Sequence, residues 1–175
     1  NVLEASKNHN LEQILITSTS ETYGTAQYLP IDEKHPLVGQ SPYSASKIAA
    51  DHLSISYYKS FNLPIKIIRP FNTYGPRQSS RAIIPTIILQ ILNNNNQKIK
   101  IGNIKPERDL TFVSDTCNGF LEIYKNNKFF GEVVNIGMND KISIEKLIQK
   151  IQNLMNIKIQ YEVDNLRVRP NKSEV

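Results

Sequence analysis

Three short apolar runs predict buried β-strands. They are Ile14-Leu15-Ile16, the segment PIKIIR from Pro64 to Arg69, and the segment EVVNI from Glu132 to Ile136. Short continuous apolar runs are typical of strands that are covered on both faces, as in a parallel sheet. We therefore interpret all three segments as buried strands.

A helix is predicted after the first strand. Ser41 suits an N-cap and Pro42 suits the first helical position. The residues that then keep helical spacing are Ala45, Ile48, Ala49, Leu53 and Tyr57. This pattern predicts a helix that begins at Pro42.

Two further helices are predicted in the second half of the chain. The first runs from about Ser80 to Asn94, and Pro85 either opens or kinks it. Its inward positions are Ile83, Ile84, Ile87, Ile88 and Ile91. Ser143 caps the second helix, whose apolar face consists of Ile144, Leu147, Ile148, Ile151, Leu154 and Met155.

Strands and helices therefore alternate along the chain, which favours an α/β fold with a mostly parallel sheet. Cys117, the single cysteine, repeats at helical spacing with Phe120, Leu121 and Tyr124, so we expect it to be a small core residue. A lone cysteine excludes an internal disulfide and fits a reducing compartment.

Composition and charge narrow the class of protein. A chain of 175 residues with 39% hydrophobic content can bury a real core. It has no run of about eighteen apolar residues and no signal-peptide pattern, so we expect a cytoplasmic protein without membrane contact. The net charge of +5 comes from scattered basic residues, which argues against nucleic-acid binding and suits a pyrophosphate-bearing substrate. His9, His35 and His52 lack metal-ligand spacing, and no metal site is predicted.

Tyr43 and Lys47 are the first candidates for chemistry. They lie four residues apart in the predicted helix and therefore share one face. A phenol ionises near pH ~10, so a tyrosine acts as a base at neutral pH only if a neighbouring cation stabilises its anion. Lys47 is the residue that would supply this charge.

Polar residues follow two of the predicted strands. The stretch Thr17 to Glu21 comes directly after the first strand, and the loop PFNTYGPR, Pro70 to Arg77, comes directly after the second. In open α/β sheets, ligands bind beyond the carboxyl ends of the strands. We therefore expect both stretches and the Tyr43 helix to meet at one rim.

Four motifs in this order resemble the extended short-chain dehydrogenase/reductase family of nucleotide-sugar enzymes. They are TSTSETYG, PYSASK, RPFNTYGPR and RDLTFVSD, and the last spans Arg108 to Asp115. The resemblance implies a Rossmann-type domain that binds NAD, and a nucleotide sugar as substrate. The glycine-rich turn typical of such domains is not present in the sequence, so we interpret the chain as the C-terminal portion of a longer enzyme. We expect the 175 residues alone to be inactive.

The resemblance also implies a division into two domains. Residues 1–78 and 111–137 would form the C-terminal part of the NAD-binding domain, whereas 79–110 and 138–175 would form a small α/β substrate domain, itself truncated. The active site would lie in the cleft between them. Relatives commonly dimerise through the helix that bears the tyrosine and lysine, so a homodimer is expected.

By the same resemblance, Tyr43 and Lys47 would contact the cofactor, and the backbone from Pro70 to Asn72 would pass its nicotinamide. Asn72 and two arginines match positions that meet the substrate's diphosphate or nucleotide in relatives. Arg108 and Arg169 are the arginines at matching positions, and Arg81 is a further candidate for the same role. Arginine suits this role because its planar fork makes two parallel bonds to phosphate oxygens.

The residues Thr19, Ser20 and Glu21 indicate which reaction is involved. A 4-epimerase needs only a hydroxyl here, whereas a 4,6-dehydratase must also remove the C5 proton and expel the C6 hydroxyl, which a carboxylate can do. The triplet resembles that of GDP-mannose 4,6-dehydratases, with Ser20 where dTDP-glucose 4,6-dehydratases carry an aspartate. The longer string TSTSETYGTAQYLPIDEKHPLVGQSPYSASKIAAD looks most like dehydratases of nucleotide-linked N-acetylglucosamine in legionaminic-acid synthesis.

Three alternatives remain open at this level. A decarboxylase of the UDP-xylose synthase type shares the Ser-Thr-Ser-Glu string and acts on UDP-glucuronate. A nucleotide-sugar 4-epimerase would share Tyr43 and Lys47 but would not need Glu21. A non-catalytic nucleotide-sugar or NAD-binding protein would keep the fold without turnover.

Overall fold

The computed structural model describes residues 1–93 and 98–167. The helices in these ranges are α1 (Val2–Ser6), α2 (Pro42–Phe61), α3 (Ile83–Asn93), α4 (Val113–Lys125) and α5 (Ile144–Met155). The strands are β1 (Ile14–Thr17), β2 (Ile65–Pro70), β3 (Asn72–Tyr74), β4 (Lys98–Ile101), β5 (Glu107–Arg108), β6 (Leu110–Phe112), β7 (Val133–Ile136), β8 (Ile142–Ser143) and β9 (Gln160–Val163). Short 3₁₀ turns lie at Ser20–Tyr23, Asn127–Phe129 and Asn165–Arg167.

The three predicted strands form one parallel sheet in the order β1-β2-β7. Ile14 is paired with Ile65, and Ile67 with Val133. The α/β class and the parallel sheet are thus confirmed. Three two-stranded pairs accompany the sheet: β3 with β6 and β4 with β9, both parallel, and β5 with β8, antiparallel. These strands have two to four residues each, and none of them is a continuous apolar run like those that predicted the sheet strands.

Helices cover both faces of the sheet. On β2, Ile65 and Ile67 pack against side chains of α2 such as Ile55, whereas Lys66 reaches the end of α4. Successive side chains of a strand point to opposite faces, so α2 and α4 lie on opposite sides. None of the helices in the described ranges has both the length and the apolar character needed to cross a bilayer.

A second core lies outside the sheet, around α3 and α5. Its buried residues include Ile87, Ile99 and Ile148, and the other isoleucines predicted to face inward from α3 pack against it. The helix begins at Ile83 rather than Ser80, so Pro85 stands in its first turn, where a missing N–H costs nothing. The prediction for Leu154 is wrong: it is 78% exposed, because it lies at the margin of the apolar stripe in the last turn of α5.

The start of α2 agrees with the predicted caps. The Ser41 hydroxyl accepts from the Ser44 backbone N–H, and the Ser44 hydroxyl accepts from the Ser41 N–H, so each serine caps the other. Pro42 occupies the first helical position, and Asn62 ends the helix in a left-handed conformation. The first turn, which carries Tyr43, is therefore firmly defined.

The orientation of α2 differs from that of an ordinary amphipathic helix. Its buried residues are polar: Ser44, Asp51 and Ser54. Three of the regularly spaced apolar residues are exposed: Ala45, Ala49 and Leu53. A corresponding correction applies to α4, where Cys117 is exposed rather than in the core. Thr116 and Ile123 are the buried residues of α4, so the stripe that includes Cys117 faces away from the sheet.

Lys66 is a charged residue in the middle of a buried strand, with 0% exposure. Its ammonium donates to the carbonyls of Ile123 and Tyr124, both at 2.9 Å, and to the Gln13 side chain at 2.8 Å. Burial lowers the pKa of Lys66. The ammonium thus satisfies two carbonyls of the last turn of α4, of which that of Ile123 also accepts from the Asn126 N–H.

Replacing Lys66 with methionine should therefore destabilise the intact protein. The two helix-end carbonyls lose a buried donor, and we expect the free energy of unfolding to fall by about 2 to 3 kcal/mol. Lys125→Met is the matched control, because that ammonium pairs with Glu122 on the surface and should contribute less than about 0.5 kcal/mol. Denaturant unfolding of both variants measures the difference, and equal effects would contradict the role given to Lys66.

Candidate active site

A cleft of about 1580 Å³ opens at the carboxyl ends of β1 and β2. One wall comes from the residues that follow β1, from the first turn of α2 and from the residues that follow β2. The other wall comes from α3, from the end of β4, from β5 and from residues 139–141. This position is the one that open α/β sheets use for ligands.

Thr19, Ser20 and Glu21 lie at the turn that follows β1, and all three line the cleft. The Thr19 hydroxyl oxygen accepts from the Glu21 backbone N–H at 3.2 Å, so it caps the 3₁₀ turn and keeps its own proton for another acceptor. Glu21 is partly buried. Among the described residues no ion pair engages its carboxylate, which leaves this group available to a ligand.

Tyr43 lines the same cleft from the first turn of α2, and its side chain is 50% exposed. Glu21 and Tyr43 thus reach one cavity from two different elements. Lys47 lies one helical turn after Tyr43 and is partly buried beside the cleft rather than in its lining. Its ammonium donates to the carbonyl of Thr17 at 2.9 Å, which ties α2 to the last residue of β1.

The residues predicted to bind cofactor and substrate are placed as follows. Pro70, Asn72, Arg81 and Arg108 all line the cleft, the first two on the β2 side and the arginines on the opposite wall. Arg108 donates to the backbone carbonyl of its neighbour Glu107 at 2.9 Å. Arg169 lies outside the described residues. The roles of all these side chains remain predictions.

A loop that sequence reasoning did not single out, residues 24–40, also borders the cleft, with Leu29, Pro30 and Ile31 in the lining. His35 anchors it and is 2% exposed. Its Nε2 accepts from the Gln27 N–H at 3.0 Å, and its Nδ1 donates to the Pro36 carbonyl at 3.1 Å.

Side chains of this loop reinforce the anchor. The Tyr28 ring packs on the His35 ring, with centroids 4.6 Å apart. The Tyr28 hydroxyl donates to Asp32 at 2.6 Å, and this bond raises the pKa of Tyr28 to about 12. The same bond lowers the pKa of the Asp32 carboxyl.

Asp109 is a second residue that sequence reasoning missed, although it lies within the RDLTFVSD motif. Its carboxylate accepts from the backbone N–H groups of Met138 and Asn139, at 3.0 and 2.9 Å. It thereby fixes the loop after β7, in which Asn139 has a positive φ of 54°. The only sequence signal was an acidic residue that ends a short polar run.

Behind the cleft lies a buried polar network that joins four elements. Arg69 of β2 donates through Nε and Nη2 to Asp51 of α2, at 3.0 and 2.9 Å. Ser18 donates to the same Asp51 oxygen at 2.9 Å, and Arg69 Nη1 donates to the Tyr23 hydroxyl at 3.0 Å. The Tyr23 hydroxyl in turn donates to Asn135 of β7 at 2.7 Å. Burial raises the pKa of Tyr23, which keeps this phenol neutral.

Comparison with known proteins places the chain among nucleotide-sugar enzymes. The family model described as GDP-mannose 4,6 dehydratase matches residues 1–174. A dTDP-D-glucose 4,6-dehydratase of Dictyostelium discoideum is 37% identical over 164 residues, which cover 87% of this chain and 37% of that protein.

Solved structures agree with this placement. UDP-glucuronic acid 4-epimerase from Bacillus cereus, in complex with UDP-glucuronic acid and NAD, superposes with a TM-score of 0.86 at 30% identity, covering 93% of this chain and 51% of that one. dTDP-glucose 4,6-dehydratase from Bacillus anthracis, in complex with NAD, gives a TM-score of 0.83 at 31% identity, covering 93% and 53%.

The chain therefore spans about half the length of these solved relatives, and less of the curated one. The family match extends over almost every residue of the chain, and the described strands and helices superpose on the solved enzymes. The chain belongs to the GDP-mannose 4,6 dehydratase family, within the extended short-chain dehydrogenase/reductases that act as nucleotide-sugar dehydratases and epimerases.

Proposed function

We propose that the intact protein containing this chain catalyses the NAD-dependent 4,6-dehydration of a nucleotide-activated hexose to a 4-keto-6-deoxy sugar. The observation that supports this most is the placement of Glu21 and Tyr43 in the lining of one cleft, with no ion pair on the Glu21 carboxylate among the described residues. A phenol and a carboxylate supply the two different proton transfers that dehydration requires.

Tyr43 performs the first proton transfer. As a phenolate it takes the O4 proton while C4 loses hydride and becomes a ketone. The Thr19 hydroxyl, whose oxygen is already engaged by the Glu21 N–H, donates its proton to O4 and orients the sugar. Lys47 lies one turn away on the same helix, with its ammonium on the Thr17 carbonyl at the end of β1.

Glu21 performs the elimination. Once C4 is a ketone, the C5 proton is acidic, and the Glu21 carboxylate removes it. The same carboxyl then gives a proton to the C6 hydroxyl, directly or through Ser20, and this hydroxyl leaves as water. Hydride returns to C6 and a proton returns to C5. The proton that Tyr43 took from O4 balances the one that C5 regains.

NAD supplies the hydride acceptor for C4 and the hydride donor for C6. The donor set fits such a group: the Lys47 ammonium uses one of its three N–H groups on the Thr17 carbonyl and keeps two for ribose hydroxyls. Pro70 and Asn72 line the same cleft as Tyr43, and we propose that the nicotinamide would lie along them. Relatives solved with NAD support this proposal.

The nucleotide part of the substrate would lie toward the opposite wall. Arg81 and Arg108 line that wall and are suited to bind the diphosphate, Asn72 would reach it from the β2 side, and Arg169 is proposed for the nucleotide. We propose UDP- or GDP-linked N-acetylglucosamine as the substrate, because the sequence from Thr17 to Asp51 resembles dehydratases of this sugar.

A 4-epimerase is the second candidate, because a UDP-glucuronic acid 4-epimerase is among the similar structures. Epimerisation removes and returns hydride at one carbon, and it gives no task to a carboxylate beside the sugar. Glu21 therefore favours dehydration. A decarboxylase would release carbon dioxide from UDP-glucuronate, and a binding protein would give no product.

The exposed apolar side of α2 supports a homodimer. Ala45, Ala49 and Leu53 follow one another at intervals of four residues, and Leu53 is 54% exposed. Small residues at this spacing allow a second helix to approach closely. We propose that a second copy of the protein covers this surface, as the family resemblance implies.

Glu21→Gln tests the proposed chemistry. The intact wild-type protein, given UDP- or GDP-N-acetylglucosamine, should yield a product lighter by one water. The amide cannot take the C5 proton, so the variant should lose about 100-fold or more in kcat for this product. Mass spectrometry measures the product in both proteins.

Glu122→Gln provides the control, since that carboxylate pairs with Lys125 on the surface and should not affect turnover. Three results would contradict dehydration: an isomer of unchanged mass formed equally well by Glu21→Gln, carbon dioxide released from UDP-glucuronate without any 4-keto-6-deoxy product, or ligand binding without turnover. They would indicate an epimerase, a decarboxylase and a binding protein, respectively.

Leu53→Glu tests the dimer. The substitution places a charge in the proposed interface between α2 and the second copy. It should convert the intact protein from a dimer to a monomer, as measured by light scattering after size-exclusion chromatography. Leu121→Glu is the matched control, because this equally exposed leucine lies on α4, on the other side of the sheet. A wild-type monomer, or a dimer that persists in Leu53→Glu, would contradict this assignment.

A further inference from the structure

The segment from Ser18 to Tyr23 is held at both ends by one buried ion pair. At its start, the Ser18 hydroxyl donates to Asp51, and at its end, the Tyr23 hydroxyl accepts from Arg69. Asp51 and Arg69 bind each other directly at 2.9 Å. The proposed proton-transfer residues Thr19, Ser20 and Glu21 lie between these two anchored residues.

The same ion pair also positions the opposing catalytic group. Asp51 belongs to α2, eight residues after Tyr43, which is about 12 Å along a helix. A helix is rigid over this length, so the position of Asp51 determines that of Tyr43. The ion pair therefore connects the element that carries Glu21 to the element that carries Tyr43.

Stability alone gives little reason for charges at this place. Arg69 and Asp51 are 3% and 1% exposed, and the desolvation of such a pair offsets most of its attraction. The Asp51 Oδ2 atom accepts all three bonds, from Ser18 and from Arg69 Nε and Nη2, while Oδ1 has no hydrogen-bond partner among the described residues. Such an arrangement imposes directions on its partners, which an apolar contact of the same size would not do.

We propose that Asp51 and Arg69 are positioning residues, which act through Ser18 and Tyr23 to hold the Glu21 carboxyl at a fixed place relative to the Tyr43 phenol. This inference rests on the proposed function, because it assigns the two groups to successive steps. Tyr23, Asp51 and Arg69 are not in the lining of the cleft, and Ser18, which is, need not touch the reacting atoms. They determine the position of Glu21, which performs the elimination, relative to Tyr43, which takes the proton during C4 oxidation.

Loosening the network should slow the elimination more than the C4 oxidation. Tyr43 and Lys47 stay together on α2, so C4 oxidation should continue. Glu21 is on the released segment, and a displacement of about 1 Å can reduce the rate of a step by up to 100-fold. A 4-ketohexose that still carries its C6 hydroxyl should therefore accumulate on the enzyme, at most one per site because the bound NAD would hold its hydride. In a single-turnover reaction with enzyme in excess, its amount should rise relative to the dehydrated product.

Ser18→Ala and Tyr23→Phe in the intact protein test this inference, since each deletes one hydroxyl and one anchor. Ser54→Ala is the matched control: Ser54 is 1% exposed on the same helix, and its hydroxyl donates at 2.8 Å to the Ala50 carbonyl within the helix. For Ser18→Ala we expect kcat to fall about tenfold or more while KM changes less than about twofold. The keto sugar is quantified by mass spectrometry after reduction with borodeuteride.

A rise in the ratio of 4-ketohexose to dehydrated product in Ser18→Ala and Tyr23→Phe, but not in Ser54→Ala, would support the inference. Two results would overturn it: kinetics of both variants equal to those of Ser54→Ala, or a loss of turnover that matches the loss of folded protein with an unchanged ratio. Tyr23→Phe decides the matter if Ser18→Ala does not fold. A wild-type protein that releases no water would instead refute the proposed function itself.

Discussion

The ion pair between Arg69 and Asp51 joins the central strand β2 to the helix α2, and the geometry of the cleft depends on it. Its two side chains are almost completely buried. Ser18 and Tyr23, at the two ends of the turn after β1, hydrogen-bond to Asp51 and Arg69, respectively. Without this pair, α2 would be held to the sheet mainly by Ile55 and its apolar neighbours, whose packing does not fix direction. The Lys47 bond to the Thr17 carbonyl adds a further connection at the end of β1.

The buried polar side of α2 explains why the periodicity of this helix is ambiguous. Its start at Pro42 was correctly predicted, because capping depends on the local residues Ser41 and Ser44. Its inward side was not predictable from hydrophobicity, since that side carries Asp51 and two serines that bond within the structure. Cys117 and its neighbours on α4 likewise indicated a core although they face outward. Helical spacing shows that a helix has an apolar stripe, but it does not show whether that stripe packs against the sheet.

The sequence predicted the three strands of the main sheet from their apolar runs, and their parallel order from the alternation with helices. It also predicted the convergence of Thr19, Glu21 and Tyr43, because these residues follow a strand end or a helix start. It did not reveal the loop of residues 24–40, which His35 and Tyr28 fix through contacts specific to the folded chain. It also did not reveal that the Lys47 ammonium bonds a backbone carbonyl. Such contacts depend on tertiary structure, and no local pattern encodes them.

In the proposed reaction, the Glu21 carboxyl and the Tyr43 phenol act on one sugar ring, the first at C5 and the second at O4. Turnover of the nucleotide sugar in deuterium oxide, followed by NMR of the product, tests it most directly. Dehydration by these two groups should give a 4-keto-6-deoxy sugar with one solvent deuterium at C5 and none at C6, because C6 receives the hydride removed from C4. A product without deuterium at C5, or a 4-epimer that keeps its C6 hydroxyl, would contradict it.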